Sequence, residues 1–279
     1  MMVSPFALLR FDMHPETIDR PAPLDYGTIF GLPVVVSNPH ELVDFLTEKA
    51  IQPQQRAFLV AAADVHVMTL GCQNEAYGEI LRQIDLICPD GMPLVYLLNR
   101  QQGEGARRAE RCSGPDVMKL CMDAKGMRHF LLGGSEKTLA LLESQLRSEH
   151  PECVMAGAYS PPFAAWSDDE QAKMVKLIRE SGANVVWVGF GCPKQETWMV
   201  KHQSSLPPAI YLGVGAAFDF HSGTVKRAPL WMQKMSLEWA YRIMKEPRRL
   251  LGRYLRFNSL FLWYLATKKQ IKKGSGANL

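Results

Sequence analysis

Short apolar runs alternate with stretches of helical periodicity down most of this chain, and that alternation constrains the fold more than any other feature. The runs are "LPVVVS" (32–37), "RAFLVAAAD" (56–64), "IDLICPDG" (84–91), "RHFLLGG" (128–134), "CVMAGAYS" (153–160), "ANVVWVG" (183–189) and "AIYLGVGAAFDF" (209–220). Several are apolar at nearly every position rather than at every second one. A strand apolar on both sides must be covered on both sides, which is the condition of a parallel sheet between two helical layers. The intervening stretches carry helix signals of their own. Leu42, Phe45 and Leu46 share one face after Pro39, and Ser135 stands as an N-cap before "EKTLALLESQL". Pro115 sits near the first turn of "GPDVMKLCMDAKG", with Gly126 as its stop. The expected fold class is α/β: a doubly wound parallel sheet with helices on both faces.

The 279 residues suffice for one such domain plus an appendage. The expected division is an N-terminal extension over 1–29, an α/β domain over 30–225, a basic aromatic appendage over 226–273, and a disordered Gly/Ser tail over 274–279. No apolar run approaches the length of a membrane span. The first residues lack the apolar core and cleavage site of a signal peptide. The six cysteines show neither metal-ligand nor disulfide spacing, so reduced thiols in a cytoplasmic protein are expected. Charge divides the chain sharply. Residues 226–279 carry thirteen Lys and Arg against two acids, Glu238 and Glu246, whereas the rest carries nineteen against twenty-six. A basic tail on a mildly acidic body points to an anionic partner.

Three glycine turns fall at strand ends: Gly133 and Gly134, Gly189 and Gly191, and the "GVG" of 213–215. In a doubly wound sheet those ends form one rim, where the ligand crevice lies. Glycines there let backbone amides approach a phosphate, and a following helix start adds positive potential. Both G-x-G turns lack the third glycine and the later acidic strand end of a dinucleotide fingerprint, which lowers the expectation of a nicotinamide cofactor.

Polar residues stand out against these apolar ends. Asp90, bent out by Pro89 and Gly91, reads either as a rim carboxylate able to act as a general base or as an Asx-turn cap of the next helix. Asp64 ends the preceding strand as a rim neighbour, with the N-cap the simpler reading. Arg111 reads as an anion holder or a solvated charge. Lys194 and Gln195 open a helix after a glycine turn and can reach ligand. Asp219, between Phe218 and Phe220, reads as a polar group in an apolar strand end that needs donors. His66, His129, His202 and His221 share no spacing and read as solvated or core residues. No Asp-x-Asp motif is present to hold a divalent metal, so no metal and no cofactor are expected, with phosphate met by Arg, Lys and amides.

The tail fits two helices broken near Pro247, with Trp231, Met235, Leu237, Trp239 and Ile243 expected to pack on the body. Its "RRLLGRYLRFNSLFLWYL" is amphipathic, as a helix in a membrane interface is. The simpler alternative is a docked helix with its basic face in water. No recognisable nucleic-acid module accompanies the basic patch, so nucleic acid ranks below a membrane.

Four segments, in order, carry a resemblance: "CPDGMPLV", "RCSGPDVM", "VGFGCPKQETW" and "GVGAAFDFHSGTVKRAPLWMQKMSLEWAYRIMKEPRRL". They are similar to the P-D-G, R-x-[ST]-G-x-D, G-x-P-K-Q-E and C-terminal signatures of the WecG/TagA/CpsF family of glycosyltransferases, across roughly residues 30–265. The resemblance implies a Rossmann-like α/β domain (GT-E-type) with a helical C-terminal appendage. It implies an inverting, metal-independent transfer from a UDP-sugar donor to a polyprenyl-diphosphate-linked saccharide acceptor in cell-surface polysaccharide synthesis. The enzyme would work on the anionic inner face of the cell membrane. On matched positions, Asp90 corresponds to the catalytic base, Arg111 and Gln195 to polar site residues, and Arg242 and Arg249, with Arg253 nearby, to diphosphate-holding arginines. One departure stands out: Ala62 and Asp64 fall where many members have Thr-x-Asn, which leaves the donor sugar open among N-acetylmannosamine, glucose and a uronic derivative. The competing expectations are a dinucleotide-dependent oxidoreductase and a non-catalytic, membrane-peripheral nucleotide or lipid binder. A homo-oligomer is expected only as a prior.

Overall fold

The computed structural model describes residues 24–235 and 237–271; the expected tail at 274–279 and most of the expected N-terminal extension lie outside them. In chain order the elements are β1 (Asp25–Ile29), β2 (Leu32–Val36), α1 (Pro39–Ile51), β3 (Phe58–Ala63), α2 (Val65–Gln73), α3 (Glu75–Arg82), β4 (Leu86–Pro89) and α4 (Met92–Gln101). There follow α5 (Gly114–Met122), β5 (Arg128–Gly133), α6 (Glu136–Glu149), β6 (Val154–Tyr159), α7 (Asp168–Ser181), β7 (Val185–Gly189), α8 (Lys194–His202) and β8 (Ile210–Gly213). The chain closes with α9 (Ala217–His221), α10 (Leu230–Lys234), α11 (Glu238–Lys245) and α12 (Pro247–Ala266).

Six strands form one parallel sheet in the order β4-β3-β8-β7-β5-β6. Side chains alternate between its faces, and both faces are buried. Leu59 and Ala61 of β3, with Val186 and Val188 of β7, enter one core; Phe58 and Val60, with Val185 and Trp187, enter the other. That two-sided burial is why the strands read as continuous apolar runs. Side-chain caps fix several helix starts on the carboxyl rim of the sheet. Asp64, Ser113 and Ser135 accept from the N–H groups of Val67, Asp116 and Thr138.

Two parts of the chain differ from expectation. "LPVVVS" is β2, but it pairs antiparallel with β1 in a separate hairpin, so β1 belongs to the fold although it lies in the expected extension. The hairpin turn, Phe30-Gly31, has positive φ at both residues, 50° and 82°. Phe30 is held there by its buried ring, 5.4 Å from that of Phe261 and 6.3 Å from that of Tyr264. The expected last strand stops at Gly213, and residues 217–221 form α9 instead. Asp219 is therefore an exposed residue on a short helix, not a buried group at a strand end.

The basic tail breaks between α11 and α12 at Pro247, where a helix interior would clash with the proline ring. It is anchored to the body. Phe261, Tyr264 and Ile271 join the same buried cluster as β3 and α2. Ile271 fills a notch between α2 and α3 made by two glycines. A Cβ on Gly71 would meet it at 2.9 Å and one on Gly78 at 2.6 Å. Its N–H donates to Phe30 O at 2.8 Å, and Arg82 donates to its carbonyl. Burying three side chains of this size is worth on the order of 5 kcal/mol, comparable with the net stability of a whole domain. Trp231, Met235 and Trp239, expected to pack on the body, are exposed, while Leu237 and Ile243 are half-buried. The inward positions of the short α10 and of α12 are taken by Met232 and Leu250.

Candidate active site

Asp90 follows β4 on the carboxyl rim, where its N–H extends the ladder by donating to Ala63 O at 2.9 Å. Its side chain does not cap α4: the N-cap there is Gly91, with no side-chain hydrogen bond. The carboxylate turns instead toward the start of α5 and makes a long contact, 3.5 Å, with the Gly114 N–H. Burial raises this carboxyl to about 7, and the neighbouring Asp64 charge adds to the rise; Arg111 and the Gly114 N–H oppose it, and Glu238 raises it further. A carboxyl poised near neutrality is what a general base needs.

Asp64 ends β3, the neighbouring strand, and caps α2 through Val67 N–H at 3.0 Å. Both expectations for it hold together: it is an N-cap, and it lies beside Asp90 on the rim. His66, in the first turn of α2, meets Phe257 of α12 edge-to-face with centroids 4.3 Å apart. Burial lowers its pKa, Asp64 opposes that, and Arg253 lowers it further.

Arg111 lies at the rim near Asp90 but is committed to protein partners. It donates to Glu238 of α11 at 2.9 Å and contacts Asp116 of α5 at 3.4 Å. Arg227 completes the network, reaching Asp116 at 2.6 and 2.8 Å and Glu238 at 3.3 Å. Burial alone would raise the Asp116 carboxyl; hydrogen bonds from Arg227 and Ser113, with the charges of Arg227 and Arg111, outweigh it and hold it at about 2. Four charges thus tie the appendage to the rim beside Asp90. Of these, only Arg111 was singled out from the sequence. The signal for Glu238 was its rarity, one of two acids in a basic tail.

The glycine turns lie together on the rim, as β8, β7 and β5 are adjacent, but they do not act alike. Gly133, Gly134 and Gly189 are packing sites. A Cβ on Gly189 would strike the Phe218 ring at 2.8 Å, one on Gly133 would strike Gly189 at 2.8 Å, and Gly134 faces Phe218 at 3.5 Å. Phe218 comes from α9, the helix not expected. Gly191 and Gly215 open onto empty space. Their N–H groups both donate to Gln195 Oε1 at 3.1 Å, so those amides are turned away from a ligand. Gln195 is 2% exposed and its Nε2 donates to the buried Glu196 at 2.8 Å. It positions two loops rather than reaching out to ligand. Behind it, Tyr77 and Cys192 are 3.3 Å apart, and burial raises the Glu196 carboxyl. The Lys194 Nζ sits 3.5 Å over the Trp166 ring.

In the appendage, the Arg242 guanidinium sits 5.6 Å over the Phe220 ring, and its Nε is buried without a partner among the described residues. Arg253 is exposed on α12, and its charge bears on His66 and Cys192 next to Asp64. Arg249 belongs to α12, and its side chain lies outside the described residues. Leu251, Leu255, Leu262 and Trp263 are exposed along the same helix. No helix among the described residues is long and apolar enough to cross a membrane.

Fold and site define a Rossmann-like α/β protein with a carboxyl raised to about 7 at the carboxyl rim of the sheet and a cationic appendage docked beside it. The chain belongs to the WecG/TagA/CpsF family of glycosyl transferases, whose model it matches over residues 27–275. It is similar to the N-acetylglucosaminyldiphosphoundecaprenol N-acetyl-beta-D-mannosaminyltransferase of Bacillus subtilis (strain 168), with 30% identity over 225 residues, 80% of this chain and 84% of the relative. The protein of the same name from Staphylococcus aureus (strain MW2) is 28% identical over 228 residues, 80% of this chain and 85% of the relative.

Proposed function

We propose that this protein transfers a hexose from a UDP-sugar to a polyprenyl-diphosphate-linked saccharide, with inversion at the anomeric carbon. The observation that carries the reading is Asp90, a rim carboxyl raised to about 7 beside the start of α5. In the step, Asp90 takes the proton of an acceptor hydroxyl as that oxygen attacks the anomeric carbon of the donor. The bond from that carbon to the UDP oxygen breaks, and UDP leaves with the electron pair. A single displacement inverts the centre. The names of the bacterial relatives support a lipid-diphosphate acceptor.

Charge developing on the leaving diphosphate needs cations. Arg242, Arg249 and Arg253 are the groups that would supply it, without a metal ion. Gln195 would keep the Gly191 and Gly215 loops out of the way of the nucleotide. The exposed apolar residues of α12, with Arg248 and Arg256 beside them, would rest in the interface of an anionic bilayer and bring the rim to a lipid-borne acceptor. On this reading the protein works peripherally, on the cytoplasmic face of the membrane.

The test is lipid-product mass. The full chain is incubated with UDP-hexoses and a short-chain polyprenyl diphosphate carrying one sugar, with and without EDTA. Addition of one hexose, insensitive to EDTA and lost in Asp90→Asn, is expected. Absence of an elongated lipid with every donor would overturn the reading.

A further inference from the structure

A buried carboxyl that the transfer step does not use lies beneath the rim. Glu196, in the first turn of α8, is fully buried. Its Oε1 accepts from Gln195 Nε2 at 2.8 Å, and its Oε2 has no hydrogen-bond partner among the described residues. Burial raises its carboxyl; the Gln195 amide is first among the groups that oppose the rise, Tyr77 of α3 opposes it too, and Asp64 adds to it. A carboxyl buried at that cost and only half satisfied is a poor device for stabilising a fold.

Its bonded oxygen meets the residue on which two rim loops depend. Gln195 Oε1 accepts from the N–H of Gly191, after β7, and from that of Gly215, after β8, each at 3.1 Å. The amide is closely enclosed: a Cβ on Gly213 would meet its Nε2 at 2.9 Å and its Cδ at 3.2 Å. An amide nitrogen cannot accept a hydrogen bond. Turned over, Gln195 would face two N–H groups with its own donors and the carboxyl with its oxygen, losing three bonds together. Glu196 Oε1 offers an acceptor, so it takes the nitrogen and leaves the Gln195 oxygen to the loops. The second loop leads to the proposed base. Val214 closes on the start of α5, where a Cβ on Gly114 would meet Val214 O at 3.0 Å. The Gly114 N–H is the group that contacts Asp90 at 3.5 Å.

We propose that Glu196 is a positioning residue: by holding Gln195 Nε2 it keeps Gln195 Oε1 on Gly191 and Gly215, which ties the two loops together and sets the wall of the rim beside Asp90. The proposal rests on the glycosyl-transfer reading and adds to it a residue that acts from beneath the rim, through Gln195 and the backbone of two loops.

Three variants of the full chain separate this role from packing and from charge. Glu196→Leu fills the space and removes the acceptor. Glu196→Asp keeps the charge and withdraws the oxygen by one methylene. Glu196→Gln keeps an oxygen within reach of Gln195 Nε2. Each is read by amide hydrogen exchange at Gly191 and Gly215 in NMR spectra, by kcat/KM for transfer to the lipid-linked acceptor, and by urea denaturation. In the Leu and Asp variants exchange at both glycines should quicken by at least about 10-fold. Their kcat/KM should fall by about 10- to 100-fold. The Leu variant should nevertheless be no less stable than the wild type, since a buried carboxyl is gone. The Gln variant should restore most of both losses. Unchanged exchange in the Leu and Asp variants overturns the proposal. So does quickened exchange with a wild-type rate, or a Gln variant as impaired as the other two. Should the Leu variant fail to fold, the Asp and Gln pair decides in the same way. Quickened exchange in variants of a wild type that is silent with every UDP-hexose overturns the transferase reading and leaves the clamp on the loops standing.

Discussion

Replacing Asp90 with asparagine should destroy transfer and yet make the protein more stable. The carboxyl is raised from its ordinary 3.8 to about 7, with burial the first cause. Ionising it in the folded state therefore costs free energy that the unfolded chain does not incur. At about 1.4 kcal/mol per pH unit, the full difference is on the order of 4 kcal/mol. Asp90 is half-buried at the rim, and solvent screening trims this to about 2–3 kcal/mol. Between pH 3.8 and 7 the folded state holds a proton that the unfolded state has released, so stability falls as pH rises and levels off above 7. Asparagine is close in shape and cannot ionise. The long Gly114 contact it inherits is worth little. Urea denaturation of both proteins at pH 5 and pH 8 should show the variant more stable by about 2–3 kcal/mol at pH 8 and by about a third of that at pH 5. A variant less stable at pH 8, or a gain equal at both pH values, would refute the claim that Asp90 is a strained, desolvated carboxyl.

Glu238→Gln removes the acid shared by Arg111 and Arg227, leaving two guanidiniums to Asp116; it should cost about 1–2 kcal/mol in urea denaturation, less in high salt. Ile271→Ala empties the notch formed by Gly71 and Gly78 and should cost about 2–4 kcal/mol, read as faster hydrogen exchange in α12 while β7 and β8 stay protected. Leu255→Asp combined with Leu262→Asp alters exposed positions only, so the fold should be unaffected. Co-sedimentation with anionic phospholipid vesicles should fall by at least about 10-fold.

The parallel sheet could be inferred from sequence because strands buried on both faces must be continuously apolar, and β3, β7 and β8 are. Asp90 could be placed because proline and glycine flank it just where β4 ends. The β1–β2 hairpin escaped because "DYGTI" is mixed in polarity and its Phe30-Gly31 turn lacks the Asn-Gly or Asp-Gly signature. Phe261 and Tyr264, more than 230 residues along the chain, pack against its turn. Helix α9 escaped because a short apolar run has no periodicity that separates helix from strand. That error moved Asp219 inward and hid Phe218, which occupies the space above Gly189 and Gly134 where phosphate was expected. Gln195 was placed correctly on the rim, but its burial depends on Gly191, Gly215 and Glu196 meeting around it. The ion-pair network escaped for the same reason: Arg111 and Glu238 are 127 residues apart in sequence.

The central claim is that Asp90 removes the acceptor proton during sugar transfer. The most direct test is the pH dependence of kcat/KM for acceptor-dependent UDP release. The prediction is a rise of about tenfold per pH unit below about 7, a plateau above it, and in Asp90→Asn a loss of about 100-fold or more on the plateau that shrinks as pH falls, with the acidic limb gone. A flat profile from pH 5 to 9, or a variant that keeps its rate, would contradict the claim and require a different base.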